Sequence, residues 1–141
     1  MPTYCDDSKE NGNDSSSNQS TILLVDDDPM VIDMLECVIQ AHGFQVVIAT
    51  DGFEACRTFL AKPERFDLVV SDVQMPNMNG VEAYKIMVQV NPKLRSIFMS
   101  GYLSGIDVFQ EIQHFKPEYI SKPFSPSHLI GKICEVLAET D

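Results

Sequence analysis

The chain has 141 residues, enough for one domain, and 44% of them are hydrophobic, as a real core requires. Its net charge of −11, from 21 acids against 10 bases, excludes the basic footprint of a domain that binds DNA or RNA directly. Its apolar runs fall far short of the roughly 20 residues that cross a bilayer. The N-terminus is polar and acidic, unlike a signal peptide, so a cytoplasmic chain without membrane contact is expected.

Residues 1–20 read as a disordered polar arm, rich in Ser, Asn and Asp and without periodicity; the folded domain is expected over 21–141. Thr21–Val25 has the composition of a buried strand. Asp28 then caps a helix with Pro29 at its first position, and Gly43 ends it. Val31, Met34, Leu35, Val38 and Ile39 form the predicted inward face of that helix. Gln45–Ala49 is a second strand. Ala55, Cys56, Phe59 and Leu60 mark a second helix, with Pro63 beyond its end. Asp67–Ser71 is a third strand, followed by the turn-rich Met75–Gly80. Ala83, Ile86, Met87 and Val90 mark a third helix, which Asn91-Pro92 stops. Leu94–Met99 is a fourth strand. Gly105 opens a fourth helix with Val108, Phe109 and Ile112 inward, and Tyr119–Ser121 is a short fifth strand. Ser125-Pro126 starts the last helix, with Leu129, Ile130, Ile133, Cys134 and Leu137 inward. Cys5, Cys37, Cys56 and Cys134 form no C-x-x-C pair and read as free thiols, three of them on apolar helix stripes.

Strands that alternate with helices, and that are apolar throughout, predict an α/β fold with a parallel sheet covered on both faces. In such a sheet the strand ends share one edge, and ligands bind where the strand order reverses. Polar residues occupy those ends here: Asp26-Asp27 after strand one, Ser71-Asp72 at strand three, Ser100 at strand four and Ser121-Lys122-Pro123 at strand five. If strands one and three are neighbours, as in the order 2-1-3-4-5, then Asp26, Asp27 and Asp72 converge. Three adjacent carboxylates raise one another's pKa and need compensation. A divalent cation and the Lys122 ammonium together balance them, and an all-oxygen site with open water positions suits Mg²⁺. Asp28 reads only as a helix cap. A carboxylate beside Mg²⁺, a lysine and a hydroxyl is a site for phosphoryl transfer, with aspartate as a plausible nucleophile.

Taken together, ILLVDDDP at 22–29, LVVSDVQMPNMNG at 68–80, FMSGY at 98–102 and YISKPF at 119–124 resemble the receiver domain of two-component response regulators. The resemblance covers about residues 21–138. It implies the flavodoxin-like, doubly wound (βα)5 fold of the chemotaxis-regulator type, with sheet order 2-1-3-4-5. It implies that Asp72 is the phosphoacceptor. Asp26, Asp27, Asp72 and the backbone carbonyl of Gln74 would hold Mg²⁺, with Asp27 the more direct ligand of the acidic pair. Ser100 and Lys122 would stabilise the phosphoryl group, and Ser100 and Tyr119 would act as the switch pair. Pro123 matches the proline after a cis peptide, and Met75-Pro76 and Gly80 would shape the loop after Asp72, Gly80 by adopting a backbone conformation that other residues resist. Ser100 stands where threonine is commoner. The bulky Tyr102 flanks the site and is expected to hinder attacking water.

The resemblance further implies a partner that donates from phosphohistidine, either a histidine kinase or a histidine phosphotransfer protein. Phosphorylation would reshape the face made by the fourth helix, fifth strand and last helix for an unnamed protein partner. The chain would be a monomer or a weak phosphorylation-dependent dimer, and not an enzyme beyond its own phosphorylation and dephosphorylation. No effector motif follows the last helix, so a stand-alone receiver is expected. Two rival readings are a metal-dependent phosphatase or nuclease, and a degenerate receiver that is never phosphorylated. The first lacks the further acidic motifs; the second usually lacks an acidic or lysine residue that this chain retains.

Overall fold

Five short apolar strands need cover on both faces, and the chain supplies it with a helix after each strand. The structure, a computed structural model, describes residues 19–101 and 106–139. In chain order the strands are β1 (Thr21–Val25), β2 (Gln45–Ala49), β3 (Leu68–Asp72), β4 (Arg95–Ser100) and β5 (Glu118–Ser121). The α-helices are α1 (Pro29–Ala41), α2 (Gly52–Ala61), α3 (Gly80–Val90) and α4 (Pro126–Ala138). Between β4 and β5 the described chain winds as a 3-10 helix, Ile106–Phe115, where an α-helix was predicted; a short 3-10 turn, Pro63–Arg65, precedes β3.

All four strand pairings are parallel, and the order is β2-β1-β3-β4-β5, as expected. Alternate strand residues feed two cores. Ile22, Leu24, Leu68, Val70, Ile97 and Met99 pack with α1 and α4 on one face. Leu23, Val25, Val69 and Phe98 pack with α2, α3 and the longer 3-10 helix on the other. Each fully buried side chain of this size stabilises the fold by roughly 1.5–3 kcal/mol relative to exposure. The result is a doubly wound three-layer sandwich. Among the described residues no helix is long and apolar enough to cross a membrane.

The helix starts follow the expected chemistry. Asp28 accepts from the Met30 N–H, and Ser125 accepts from the His128 N–H, each just before a proline in the first turn. Gly43 has φ +93, the left-handed conformation that lets the chain leave α1. Just before β1, the Ser20 carbonyl accepts from the Gln45 N–H at 2.9 Å, and Gln19 bonds the Gln45 side chain.

The buried helix faces differ from those expected. On α1 the buried residues are Ile32, Leu35 and Ile39, while Met34 is largely outward. On α3, Val81, Tyr84 and Val88 are buried with Ala83 and Met87, and Ile86 and Val90 are exposed. Leu60 on α2 is also exposed, and on α4 Cys134 faces solvent while Val136 is buried. A helix packed on a twisted sheet rotates to seat its largest side chains, so a stripe counted at ideal spacing misses by one position. The expectation of four free thiols also fails: Cys56 and Cys134 are free, but Cys37 is disulfide-bonded. Distance along the sequence is no guide to which thiols meet in the fold.

Candidate functional site

The strand order reverses between β1 and its neighbours β2 and β3, and the crevice at their carboxyl ends is where the acidic residues collect. Asp26 leaves β1 with its N–H still bonded to Ala49, so its position is set by the sheet. Its side chain is fully buried; one oxygen accepts from the Asp28 N–H at 2.9 Å and the other from Lys122 at 3.3 Å. Asp72 ends β3 and is buried. Its Oδ1 accepts from the same ammonium at 3.3 Å. Asp27 is exposed. Asp26, Asp27 and Asp72 each offer a carboxylate oxygen, all within 4.8 Å of one another.

Lys122 follows β5 directly, and its N–H bonds the Ser100 carbonyl at 2.8 Å, so two strands fix its base. Burial alone would lower its pKa, but Asp72 and Asp26 outweigh that and hold the ammonium above its ordinary value. Asp72 is held above the usual carboxylate range. Burial contributes most, the Asp26 charge adds to it, and Lys122 offsets only part. One ammonium is therefore not enough positive charge for this cluster. The donor set is all oxygen, one carboxylate is open to solvent, and the charge is under-compensated, which fits a small divalent cation such as Mg²⁺.

The loop after Asp72 is drawn tight by the Gly80 N–H, which donates to the Val73 carbonyl at 3.0 Å. Gly80 is required for a reason other than the expected one. The described positive-φ glycine is Gly43, whereas a Cβ at Gly80 would lie 2.2 Å from the Asp72 carbonyl oxygen and 2.7 Å from Ser71 Oγ. The constraint is space, because α3 starts against the end of β3. Ser71 was read only as a strand-end residue; its hydroxyl donates to the Asp72 carbonyl at 2.9 Å and braces the same corner. The capping box of α3, Asn79 with Glu82, is a second missed device, although its N-x-x-E spacing is legible in the sequence. Gln74 sits exposed in this loop, two residues past Asp72.

Ser100 is buried at the end of β4, where its backbone pairs with Ser121 of β5. Tyr119 is half-buried on β5. Its ring meets Phe109 edge-on at 4.6 Å, and its hydroxyl accepts from Gln113 at 3.3 Å. The Lys122-Pro123 peptide is cis, as the resemblance implied. Tyr102 and Gly105 lie outside the described residues, as do all but the last two positions of the polar arm; the side chain of Val108 is not described.

The fold is a parallel (βα)5 sheet of the receiver type, with three carboxylates and a lysine gathered at its reversal point. The response regulator receiver domain family matches residues 22–134, and the chain belongs to that family, which places it in two-component signalling. It is 29% identical over 112 residues to the DNA-binding response regulator MtrA of Mycolicibacterium smegmatis, covering 79% of this chain and 48% of that protein. The chain thus spans about half the length of the curated relatives it matches first. Among solved structures it is similar to a CheY-like receiver domain protein from Methanospirillum hungatei JF-1, at 31% identity and a TM-score of 0.75, covering 86% and 96% of the two chains. It is also similar to the response regulator TrrA from Thermotoga maritima in complex with Mg²⁺-BeF, at 25% identity and a TM-score of 0.72, covering 84% and 99%.

Proposed function

We propose that this receiver accepts a phosphoryl group from a phosphohistidine onto Asp72, and that the charge added there alters the face of β5 and its flanking helices. The observation that carries the reading is the Lys122 ammonium 3.3 Å from both Asp26 and Asp72, inside a three-carboxylate cluster. Asp26, Asp27, Asp72 and the Gln74 carbonyl are the residues to hold Mg²⁺, and Asp27, exposed and not held by Lys122, is the more direct ligand of the acidic pair. When bound, Mg²⁺ supplies positive charge for the phosphoryl oxygens. The similarity to a receiver solved with Mg²⁺-BeF supports this assignment.

The Asp72 carboxylate attacks phosphorus, the N–P bond of the phosphohistidine breaks, and imidazole leaves. Lys122 neutralises charge on the transferring group, and the Ser100 hydroxyl donates to one of its oxygens. The aspartyl phosphate carries more negative charge than the carboxylate it replaces. Ser100 moves toward it, and Tyr119 exchanges its Gln113 contact for a more buried position, which reshapes the surface of the 3-10 helix Ile106–Phe115, β5 and α4. The donor is a histidine kinase or histidine phosphotransfer protein in the cytoplasm. The receiver itself signals by protein contact, since its charge disfavours nucleic acid. It is a phosphoprotein rather than a turnover enzyme.

Incubation with acetyl phosphate and Mg²⁺, followed by intact-mass measurement, tests this. One phosphoryl group is expected on the wild type and none on Asp72→Asn. An unmodified wild type, with acetyl phosphate and with a phosphohistidine donor alike, would reject the reading.

A further inference from the structure

The acidic cluster draws on the ends of β1 and β3, yet the loop that follows Asp72 rests on a third element, α2. Gly52 is buried as the first residue of α2. A Cβ there would lie 2.6 Å from the Met78 carbonyl oxygen, 2.9 Å from Met78 Cβ and 3.0 Å from Met78 Cγ. One turn further along α2, the Cys56 Sγ reaches the Met78 sulfur at 3.9 Å. We propose that Gly52 is a positioning residue for Mg²⁺: having no side chain, it lets Met78 seat against α2, and that seat keeps the Gln74 carbonyl in place as a ligand. The inference rests on the assignment of Gln74 to the metal made under the proposed function.

The loop needs such a seat. It is pinned at its ends, where the Val73 N–H donates to the Met99 carbonyl and the Gly80 N–H to the Val73 carbonyl, each at 3.0 Å. Between them the Met78 N–H donates to the Pro76 carbonyl at 2.8 Å, closing a three-residue turn around Asn77, whose φ is 72. A positive φ at the centre of so tight a turn is strained for a residue with a side chain, and it persists only where the surroundings hold it. The surroundings here are Gly52 and Cys56 against the very next residue, Met78, which packs on the core that Cys56 and Ala83 belong to.

The requirement at position 52 is for space, since the described positive-φ glycine is Gly43. The nearest atom is a backbone oxygen, which cannot swing aside as the end of a side chain does. A methyl at 52 therefore displaces the backbone at Met78, and Gln74 lies exposed in the same closed loop. Groups that support a metal's ligands from behind are worth roughly 10–100-fold in affinity.

The test measures Mg²⁺ affinity of the full chain by isothermal titration calorimetry without phosphodonor. Alongside it run the unfolding midpoint in EDTA and the rate of acetyl phosphate labelling across Mg²⁺ concentrations. In Gly52→Ala the Mg²⁺ dissociation constant is expected to rise about tenfold, and the half-saturating Mg²⁺ for labelling to rise with it. The labelling rate at saturating Mg²⁺ is expected to stay within about twofold of wild type, as for a loss of binding alone. Gly131→Ala, whose methyl meets nothing within 4 Å, is expected to keep wild-type affinity. Met78→Ala adds no clash and covers the case in which Gly52→Ala does not fold; it loses its hold on α2 and should also bind Mg²⁺ more weakly. In the double variant the two losses are expected not to add, because both act through one contact. A lowered midpoint in Gly52→Ala with unchanged Mg²⁺ affinity would overturn the proposal, and so would full additivity or unchanged affinity in Met78→Ala. A wild type that fails to bind Mg²⁺ would overturn the metal reading of the site as well, whereas a wild type that binds beside unaffected variants overturns this inference alone.

Discussion

Lys122 is the residue on which the charge balance of the site turns. It bonds a fully buried Asp26 and a buried Asp72, and among the described residues Asp26 otherwise accepts from the Asp28 N–H. In Lys122→Ala the Asp26 carboxylate keeps its desolvation and loses its ammonium, which costs about 1–3 kcal/mol of stability. Chemical denaturation should show that loss, and a change below ~0.5 kcal/mol would mean that solvent replaces the lysine at no cost. Gly80→Ala belongs to the same scale. The added methyl meets the Asp72 backbone, which has no rotamer to yield with, so the end of β3 or the start of α3 must shift. A destabilisation of about 2–3 kcal/mol is expected, together with slower labelling of Asp72. Were the constraint one of backbone conformation alone, alanine would be tolerated, since the φ of Gly80 is not in the left-handed region. The acidic pair, Asp72 and Lys122 were legible because polar residues at the ends of apolar strands stand out. The reason for Gly80 was not legible, because it depends on how closely α3 approaches β3.

Elements were easier to place than to orient. The start of α1 at Pro29, the whole of β1 and β2, and the start of α4 at Pro126 follow from caps, prolines and β-branched runs that act locally. The inward face of α3 was misjudged because Tyr84 looks like a surface residue by type. It is nearly fully buried, and its hydroxyl donates to the Leu94 carbonyl at 2.6 Å, tying α3 to the entry of β4. Burial pushes that hydroxyl up to about 12, so it stays protonated and donating throughout the usual working range. Tyr84→Phe keeps the ring contacts with Phe98 and Phe115 and removes only the donor. The buried carbonyl is then unsatisfied, and a loss of about 1–2 kcal/mol is expected by thermal or chemical denaturation. An unchanged midpoint would show that the ring, and not the hydroxyl, holds this junction. The 3-10 winding of Ile106–Phe115 was not legible, since Val108, Phe109 and Ile112 suit either kind of helix over so short a stretch.

At the scale of the molecule, the sheet order was readable through the four motifs of the resemblance, and the strand-end carboxylates agree with it because they converge when β1 and β3 are adjacent. The Cys37 disulfide was not readable, because it depends on which segments meet in space. The site also makes overall stability depend on pH and on metal. The Asp72 carboxyl is held above its ordinary value of 3.8, so the folded state binds its proton more tightly than the unfolded chain does. Its contribution is favourable below that ordinary value, is lost as pH rises toward the raised folded value, and at neutral pH ionised Asp72 weakens the fold. Asp72→Asn removes that charge and should be more stable than wild type in metal-free buffer. Mg²⁺ should reverse the ranking. At a hundredfold excess over its dissociation constant, binding to the folded state alone adds about 2.7 kcal/mol to the wild type. The variant has lost one of three clustered carboxylates and should gain much less at the same concentration. Thermal unfolding of both proteins at neutral pH, with EDTA and then with Mg²⁺, measures all four values. An equal Mg²⁺ shift in the two proteins would place the cation away from Asp72, and a less stable variant in EDTA would mean that Lys122 already compensates the cluster in full.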